Sequence, residues 1–290
     1  MITIKYGGRT GHVMLQYAFA RILSKEFHQY LPSYPIIGFP ETYKEVNVDK
    51  KNDNIEGEWV KLTKRYLWEL DFIKEQLLVH NKKNIYIKSS CANYNNFKNH
   101  KEEIRNEWFY VEQPYDKHKL SLENKFFIWD KEFKNIKINH IDDDDLVINI
   151  RLGDIAHGSH SERLLLFDYF DIILRNSKFN RLFITSEEIN NPILRDFDKY
   201  SPIYFFQANH METFNFMRLF KKMAISQSSY SWWVAYLSDA EEIYYPIVQT
   251  GPWVVHPKNG QDLRVNEDRY IYVSQKHSKI MGKFKEISEW

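Results

Sequence analysis

The sequence predicts an α/β protein in which parallel strands alternate with helices, divided into two domains. Two observations carry this reading. Near the start, a short apolar strand, a glycine-bearing turn and an amphipathic helix follow one another. In the second half, the continuous apolar run Leu146-Val147-Ile148-Asn149-Ile150 opens a repeated alternation of strand and helix patterns. Apolar side chains at nearly every position, rather than at every second one, suit a strand buried on both faces of a parallel sheet. The 290 residues exceed the roughly 100–200 of a typical domain and fit one large domain or two modest ones, of which two is the expectation.

The elements follow in order. Ile2 to Tyr6 reads as a strand and Gly7-Gly8-Arg9-Thr10-Gly11 as a turn. Leu15, Ala18, Phe19, Ile22 and Leu23 then fall on one face of a helix. Further on, the pattern gives a strand from Tyr34 to Phe39 between prolines and a helix from Tyr66 to Val79. A strand from Asn84 to Lys88 and a charged helix from Phe97 to Trp108 complete this half. The acidic run Asp142-Asp143-Asp144-Asp145 reads as a solvated linker and sets the boundary between residues 1–141 and 142–290. Beyond it come helix Leu164 to Arg175, strand Leu182 to Thr185, helix Pro192 to Asp198, strand Ile203 to Phe206 and helix Glu212 to Lys222. A strand from Met223 to Ser226, a helix from about Ser231 and a strand from Glu242 to Tyr245 follow; Lys276 to Trp290 reads as a solvated terminal helix. Such alternation implies a parallel sheet covered by helices, with ligands bound beyond the carboxyl ends of its strands.

Composition narrows the function classes. With 40 Lys plus Arg against 39 Asp plus Glu, the net charge is +1, so no global field marks a nucleic-acid or membrane-surface binder. An apolar fraction of 43% and an aromatic fraction of 16% supply a packed interior. The single cysteine, Cys91, excludes an internal disulfide and a cysteine-built metal site. No apolar run approaches the roughly 18 residues of a membrane span, no leader pattern opens the chain, and no Asn-x-Ser/Thr acceptor occurs, which together predict cytoplasmic residence.

Four segments could carry chemistry. The turn Gly8 to Gly11, between strand and helix, offers free N–H groups and a helix dipole to an anion, or is simply a glycine turn. Arg151-Leu152-Gly153-Asp154 ends the strand of residues 146–150, where the arginine fork could grip phosphate or pair with Asp154. Glu187 and Glu188 end the next strand and could accept hydrogen bonds from a nucleobase, or merely favour the following helix N-terminus. Ser226-Gln227-Ser228-Ser229-Tyr230-Ser231-Trp232-Trp233 could cap a helix or seat a phosphate. Asp142 to Asp145 invites comparison with carboxylate metal motifs, but it precedes a strand and so falls at the wrong sheet edge; the eleven histidines show no ligand spacing. No metal site is expected.

In order and spacing, three of these segments resemble the family 11 glycosyltransferases, the α-1,2-fucosyltransferases, with wider kinship to α-1,6- and protein O-fucosyltransferases. Gly8-Arg9-Thr10-Gly11-His12-Val13-Met14-Leu15-Gln16-Tyr17-Ala18-Phe19-Ala20-Arg21 is similar to the family's G-G-L-G-N-Q-M-F-Q-Y-A-F-A-R. Asn149-Ile150-Arg151-Leu152-Gly153-Asp154 is similar to H-V-R-R-G-D, and the segment from Ile225 to Leu237 to I-S-N-S-S-F-S-W-W-G-A-W-L. The resemblance implies a GT-B-type enzyme with two Rossmann-like lobes and a cleft between them. The N-terminal lobe would serve the acceptor and the C-terminal lobe the nucleotide sugar. It implies inverting transfer from GDP-fucose to a glycan hydroxyl, without metal or other cofactor. On this basis Arg151 neutralises the β-phosphate, Ser228 and Ser229 lie near the pyrophosphate, Glu188 falls where relatives read guanine, and Glu187 and Tyr230 belong to the same donor site. Gly8, Arg9, Gly11 and His12 line the loop that faces the donor.

The departures are specific. Asn149 replaces the family histidine near the base, Glu187-Glu188 an S-D-D type pair, Leu152 a second arginine, Arg9 a glycine and His12 an asparagine. They leave open another nucleotide sugar, or a binding protein that has lost catalysis. Candidates for the base that deprotonates the acceptor are Asp154, His12, His157 and Glu162.

Overall fold

A computed structural model describes residues 2–4, 6–27, 34–44, 59–62, 75, 84–87, 91–122, 125–130, 132–157, 164–248, 253–254 and 261–288. The chain forms two compact units. The first comprises Met1–Glu112 with His256–Arg264, and the second Gln113–Val255 with Val265–Trp290.

In the first unit, strands β1 (Ile2–Ile4), β2 (Trp59–Leu62) and β3 (Asn84–Ile87) form a parallel sheet in the order β1-β3-β2. Helix α1 (Thr10–Phe27) buries Leu15, Ala18, Phe19, Ile22 and Leu23, the face that its spacing predicts. A helical run at 98–108 stands where the charged helix was expected. Residues 34–39 instead make a tight turn with an isolated bridge between Ile36 and Phe39, because the flanking prolines and Gly38 favour reversal over pairing. The helix expected from Tyr66 to Val79 lies outside the described residues apart from position 75. Late in the chain, Asp262 bonds Ala92 and Tyr94 through backbone groups and so belongs to this unit.

The second unit is built on a nine-stranded sheet. Its parallel core consists of β6 (Leu146–Ile150), β7 (Leu182–Ser186), β8 (Ile203–Phe206), β9 (Lys222–Ala224), β10 (Glu242–Ile247) and β11 (Tyr270–Ser274). Across the sheet they stand as β8-β7-β6-β9-β10-β11. Numbered from the first, this is the order 3-2-1-4-5-6 of a doubly wound sheet. The hairpin β4 (Phe126–Asp130) and β5 (Glu132–Ile136) extends one edge antiparallel to β8, and β12 (Lys279–Gly282) closes the other.

Two expectations are corrected here. The hairpin at 126–136 joins this sheet, so the units divide at residues 112/113 rather than 141/142. The tail is a strand and a short helix, Phe284–Ser288, because Ile280 and Met281 pack with the sheet rather than forming a solvated face.

Helices cover both faces. Alternation along β6 sends Leu146, Ile148 and Ile150 to one side, where they share a core with α3 (Phe167–Asn176) and the 3-10 run Pro192–Tyr200. On the other side Phe206 stacks on Phe216, centroids 3.9 Å apart, and Phe183 meets Phe220 at 5.2 Å. Phe216 lies in α4 (His210–Met217), which a full capping box of Asn209 and Glu212 opens. Burying each such side chain contributes about 1.5–3 kcal/mol. Among the described residues no helix is long and apolar enough to cross a membrane.

Candidate functional site

In a doubly wound sheet the crevice opens where the strand order reverses, beyond the carboxyl ends of the two strands there. Here those strands are β6 and β9: from β6 the chain moves to β7 on one side, and from β9 to β10 on the other. Arg151 follows β6, and Ser226, Gln227 and Ser228 follow β9.

These two ends are bonded to each other. The Arg151 peptide N–H donates to Ser226 Oγ at 3.0 Å, while that hydroxyl donates to the Asn149 carbonyl. Arg151 Nη1 donates to Ser228 Oγ at 3.4 Å. Ser228 is also the N-cap of helix α5 (Ser229–Leu237), accepting from the Tyr230 N–H at 3.3 Å. Ser231 Oγ bonds back to the carbonyls of Ser226 and Ser228, at 3.2 and 3.1 Å. Trp232, Trp233 and Tyr236 are fully buried, with Trp232 stacked on Tyr236 at 4.8 Å, so the helix is anchored from its first turn. A guanidinium, a hydroxyl and the positive end of a helix dipole thus lie together, which is an arrangement suited to anions. Ser229, the first helical residue, and Tyr230 remain half-buried. The Tyr230 hydroxyl donates to the His210 carbonyl, and burial pushes its pKa upward, so it serves as a neutral donor.

The turn after β6 carries three further features. Leu152 is fully buried in the core, so the position at which the resembled family has a second arginine points inward here. Its N–H donates to Glu187 Oε2 at 3.1 Å. Gly153 adopts φ +40°, a conformation that L side chains rarely take, and opens the short helix α2 (Gly153–His157) that carries Asp154. The side chains of Asp154 and His157, and all of Glu162, lie outside the described residues.

Glu187 and Glu188 border an open concavity of about 410 Å³ at the ends of β7 and β8, lined also by Asn190, Asn191 and Gln207. Glu188 Oε2 accepts from Asn191 Nδ2 at 2.8 Å, and Asn191 Oδ1 caps the 3-10 run through the Ile193 N–H at 3.2 Å. Gln207 stands one residue past β8, and its only mark in the sequence is that place beyond a strand end. Asn149 is the penultimate residue of β6 and is buried. Its amide donates sideways to Thr185 Oγ1 at 3.1 Å, within the buried β6–β7 pair.

In the first unit, Gly8 adopts φ +96°, and a Cβ there would meet His12 Cβ at 3.2 Å, so the imidazole packs against the turn. Gln16, whose role the sequence did not disclose, accepts the Gly7 N–H at 2.9 Å and fixes that turn from within α1. The Arg9 carbonyl starts the helix by accepting from His12 and Val13, while Gly11 is buried. Burial lowers the His12 pKa, which favours neutral imidazole.

The acidic run is a set of ion pairs rather than a bare linker. Buried Asp145 and exposed Asp142 face Arg181, at 2.5 and 3.2 Å, Asp143 faces Lys117 and Asp144 faces Lys222, at 2.5 and 2.6 Å. These tie the amino ends of β6, β7 and β9, the sheet edge opposite Arg151.

Comparison with protein-family models, curated proteins and solved structures finds no match to this chain.

Proposed function

We propose that this protein is a GT-B-type, inverting, metal-independent glycosyltransferase that moves fucose or a related sugar from GDP-fucose to a hydroxyl of a glycan acceptor, forming an α-1,2 linkage. The observation that carries the reading is the position of Arg151 beside Ser228 and the N-terminus of α5 at the reversal point of a doubly wound sheet. The nature of the sugar, the linkage and the two-lobe arrangement rest on the three resembling motifs.

The chemistry follows from charge. As the bond between the sugar's anomeric carbon and the diphosphate oxygen breaks, its electron pair leaves on the diphosphate and the sugar gains oxocarbenium character. Arg151, the Ser228 hydroxyl and the helix dipole stabilise that departing charge without a metal. The acceptor oxygen forms the new bond, and its proton passes to a base, for which His12 and Asp154 are the candidates. Glu188 and Gln207 are assigned to the nucleobase, with carboxylate accepting and amide both donating and accepting. Gly8, Arg9, Gly11, Ser229 and Tyr230 are assigned to the donor on the resemblance.

The buried Leu152 favours one second reading, a nucleotide-sugar-binding protein without transfer, because it withdraws a cation from the diphosphate. A thermal-shift panel of GDP, GDP-fucose, GDP-mannose, UDP, UDP-glucose, dTDP and CMP in EDTA tests the nucleotide assignment, since a native-state ligand raises apparent stability. A GDP-selective shift is expected. A UDP-selective shift moves the donor assignment, and no shift with any nucleotide removes the reading. GDP release from GDP-fucose then separates transfer from binding alone.

A further inference from the structure

The turn that presents Arg151 is held from both sides by its neighbours in the sheet. Ser226, past the end of β9, takes the Arg151 N–H at 3.0 Å. Glu187, just past the end of β7, takes the next N–H, that of Leu152, at 3.1 Å. Two consecutive peptides of one turn are thus fixed by side chains from the two strands that flank β6. The Glu187 side chain also lies along the turn: a Cβ at Gly153 would stand 3.7–3.8 Å from its Cδ, Cβ and Oε1. The acceptor is a carboxylate, so the bond to the Leu152 N–H is charge-assisted.

We infer that Glu187 is a positioning residue for Arg151, acting through the Arg151–Gly153 turn to aim the guanidinium at a diphosphate, and that it does not read the nucleobase. The inference rests on the proposed diphosphate seat and divides the labour of two adjacent carboxylates: Glu187 for the turn, Glu188 for the base. A phosphate-positioning role is blind to the base, whereas a base-reading role changes selectivity. The two therefore differ in something that can be measured.

The test is calorimetric titration of GDP, UDP and inorganic pyrophosphate, in EDTA, into the wild-type chain, Glu187→Ala, Glu187→Gln, Arg151→Ala and the double variant. Glu187→Ala is expected to weaken all three ligands by a common factor of about tenfold, the loss of one charge-assisted bond, with the GDP:UDP ratio unchanged. The double variant is expected to bind no more weakly than Arg151→Ala alone, because the two side chains act as one unit. Glu187→Gln keeps an acceptor oxygen but not its charge and is expected to weaken the three ligands by a common factor smaller than that of Glu187→Ala, with the GDP:UDP ratio unchanged, and it carries the test if the alanine variant does not fold. A changed GDP:UDP ratio in either variant, additive losses in the double variant, or unaltered affinity in Glu187→Ala overturns the inference. Binding that depends on Arg151 but not on Glu187 sinks this inference alone, whereas a wild-type chain that binds none of the three sinks the diphosphate seat and the inference with it.

Discussion

Arg151 follows a strand that is buried along its whole length, and its guanidinium stands against Ser228 Oγ at 3.4 Å. An arginine after such a strand is legible from sequence as an anion-binding candidate. The orientation of its neighbours was not legible, because a linear string does not reveal which way a side chain turns once the strand ends. Leu152, which looks like a lost cation, is a core residue. Leu152→Arg is therefore expected to destabilise the fold by at least about 3 kcal/mol, the order of leaving a buried charge unpaired, without improving nucleotide affinity. Chemical denaturation and GDP titration read both; a stable variant with tighter GDP binding contradicts the assignment. Asn149 likewise turned sideways to Thr185, a partner on the neighbouring strand that no local pattern announces. For His12, the lowered pKa keeps the imidazole neutral and able to accept a proton at neutral pH. His12→Ala is expected to cut transfer while leaving donor affinity within about twofold, since general-base catalysis contributes about 10²–10⁴. In the wild type, the acid limb of the rate profile should fall below the ordinary histidine value of about 6.5. Unchanged turnover removes His12 as the base.

At the scale of elements, the strands with the plainest signal were those of the parallel core, where burial on both faces leaves a continuous apolar run. Edge strands were harder to see. The hairpin 126–136 carries polar residues, of which Lys134 and Asn135 are exposed, and its antiparallel attachment to β8 cannot be read from periodicity. Capping was legible only in part. Asn209 and Glu212 form a reciprocal box at α4, with the Asn209 side chain accepting the Met211 and Glu212 N–H groups at 3.0 and 2.9 Å. Because α4 also presents the His210 carbonyl to Tyr230, Asn209→Ala is expected to cost about 1 kcal/mol and to loosen the first turn of α5. Denaturant midpoints measure the first, and amide exchange at Tyr230 and Ser231 the second. A second element contact depends on pH. Asp171 of α3 is nearly buried, which alone raises its pKa, but bonds from Lys199 Nζ at 2.5 Å and Tyr200 Oη at 2.6 Å outweigh this and hold it below the usual value. Its stabilisation is therefore complete above the unfolded value of about 3.9 and is lost as pH falls through the lower folded one. Asp171→Asn should cost about 1.5–3 kcal/mol at pH 7, with the gap closing at more acidic pH. A gap that persists unchanged through the acid range refutes the ion-pair account.

For the whole molecule, the alternation of patterns after residue 146 was enough to expect a parallel sheet, and the observed 3-2-1-4-5-6 order locates its reversal between β6 and β9. The division into units was less legible. Contacts, not composition, decide it, and the chain returns to the first unit at 256–264 before finishing in the second. The acidic run looked like a linker because four aspartates in sequence suggest solvent, yet each is matched by a cation from elsewhere in the fold. What the sheet order adds to the motif is a reason for Arg151 and Ser228 to meet: they follow adjacent strands at the one place where the connections diverge. The most direct test of that claim is calorimetric titration of GDP-fucose into the wild-type chain and Arg151→Ala in EDTA. The expected result is saturable one-to-one binding weakened at least about tenfold by the substitution, the scale of a lost charge-assisted contact to phosphate. Equal affinity in the two proteins, or no binding to either, contradicts a diphosphate seat at the reversal point.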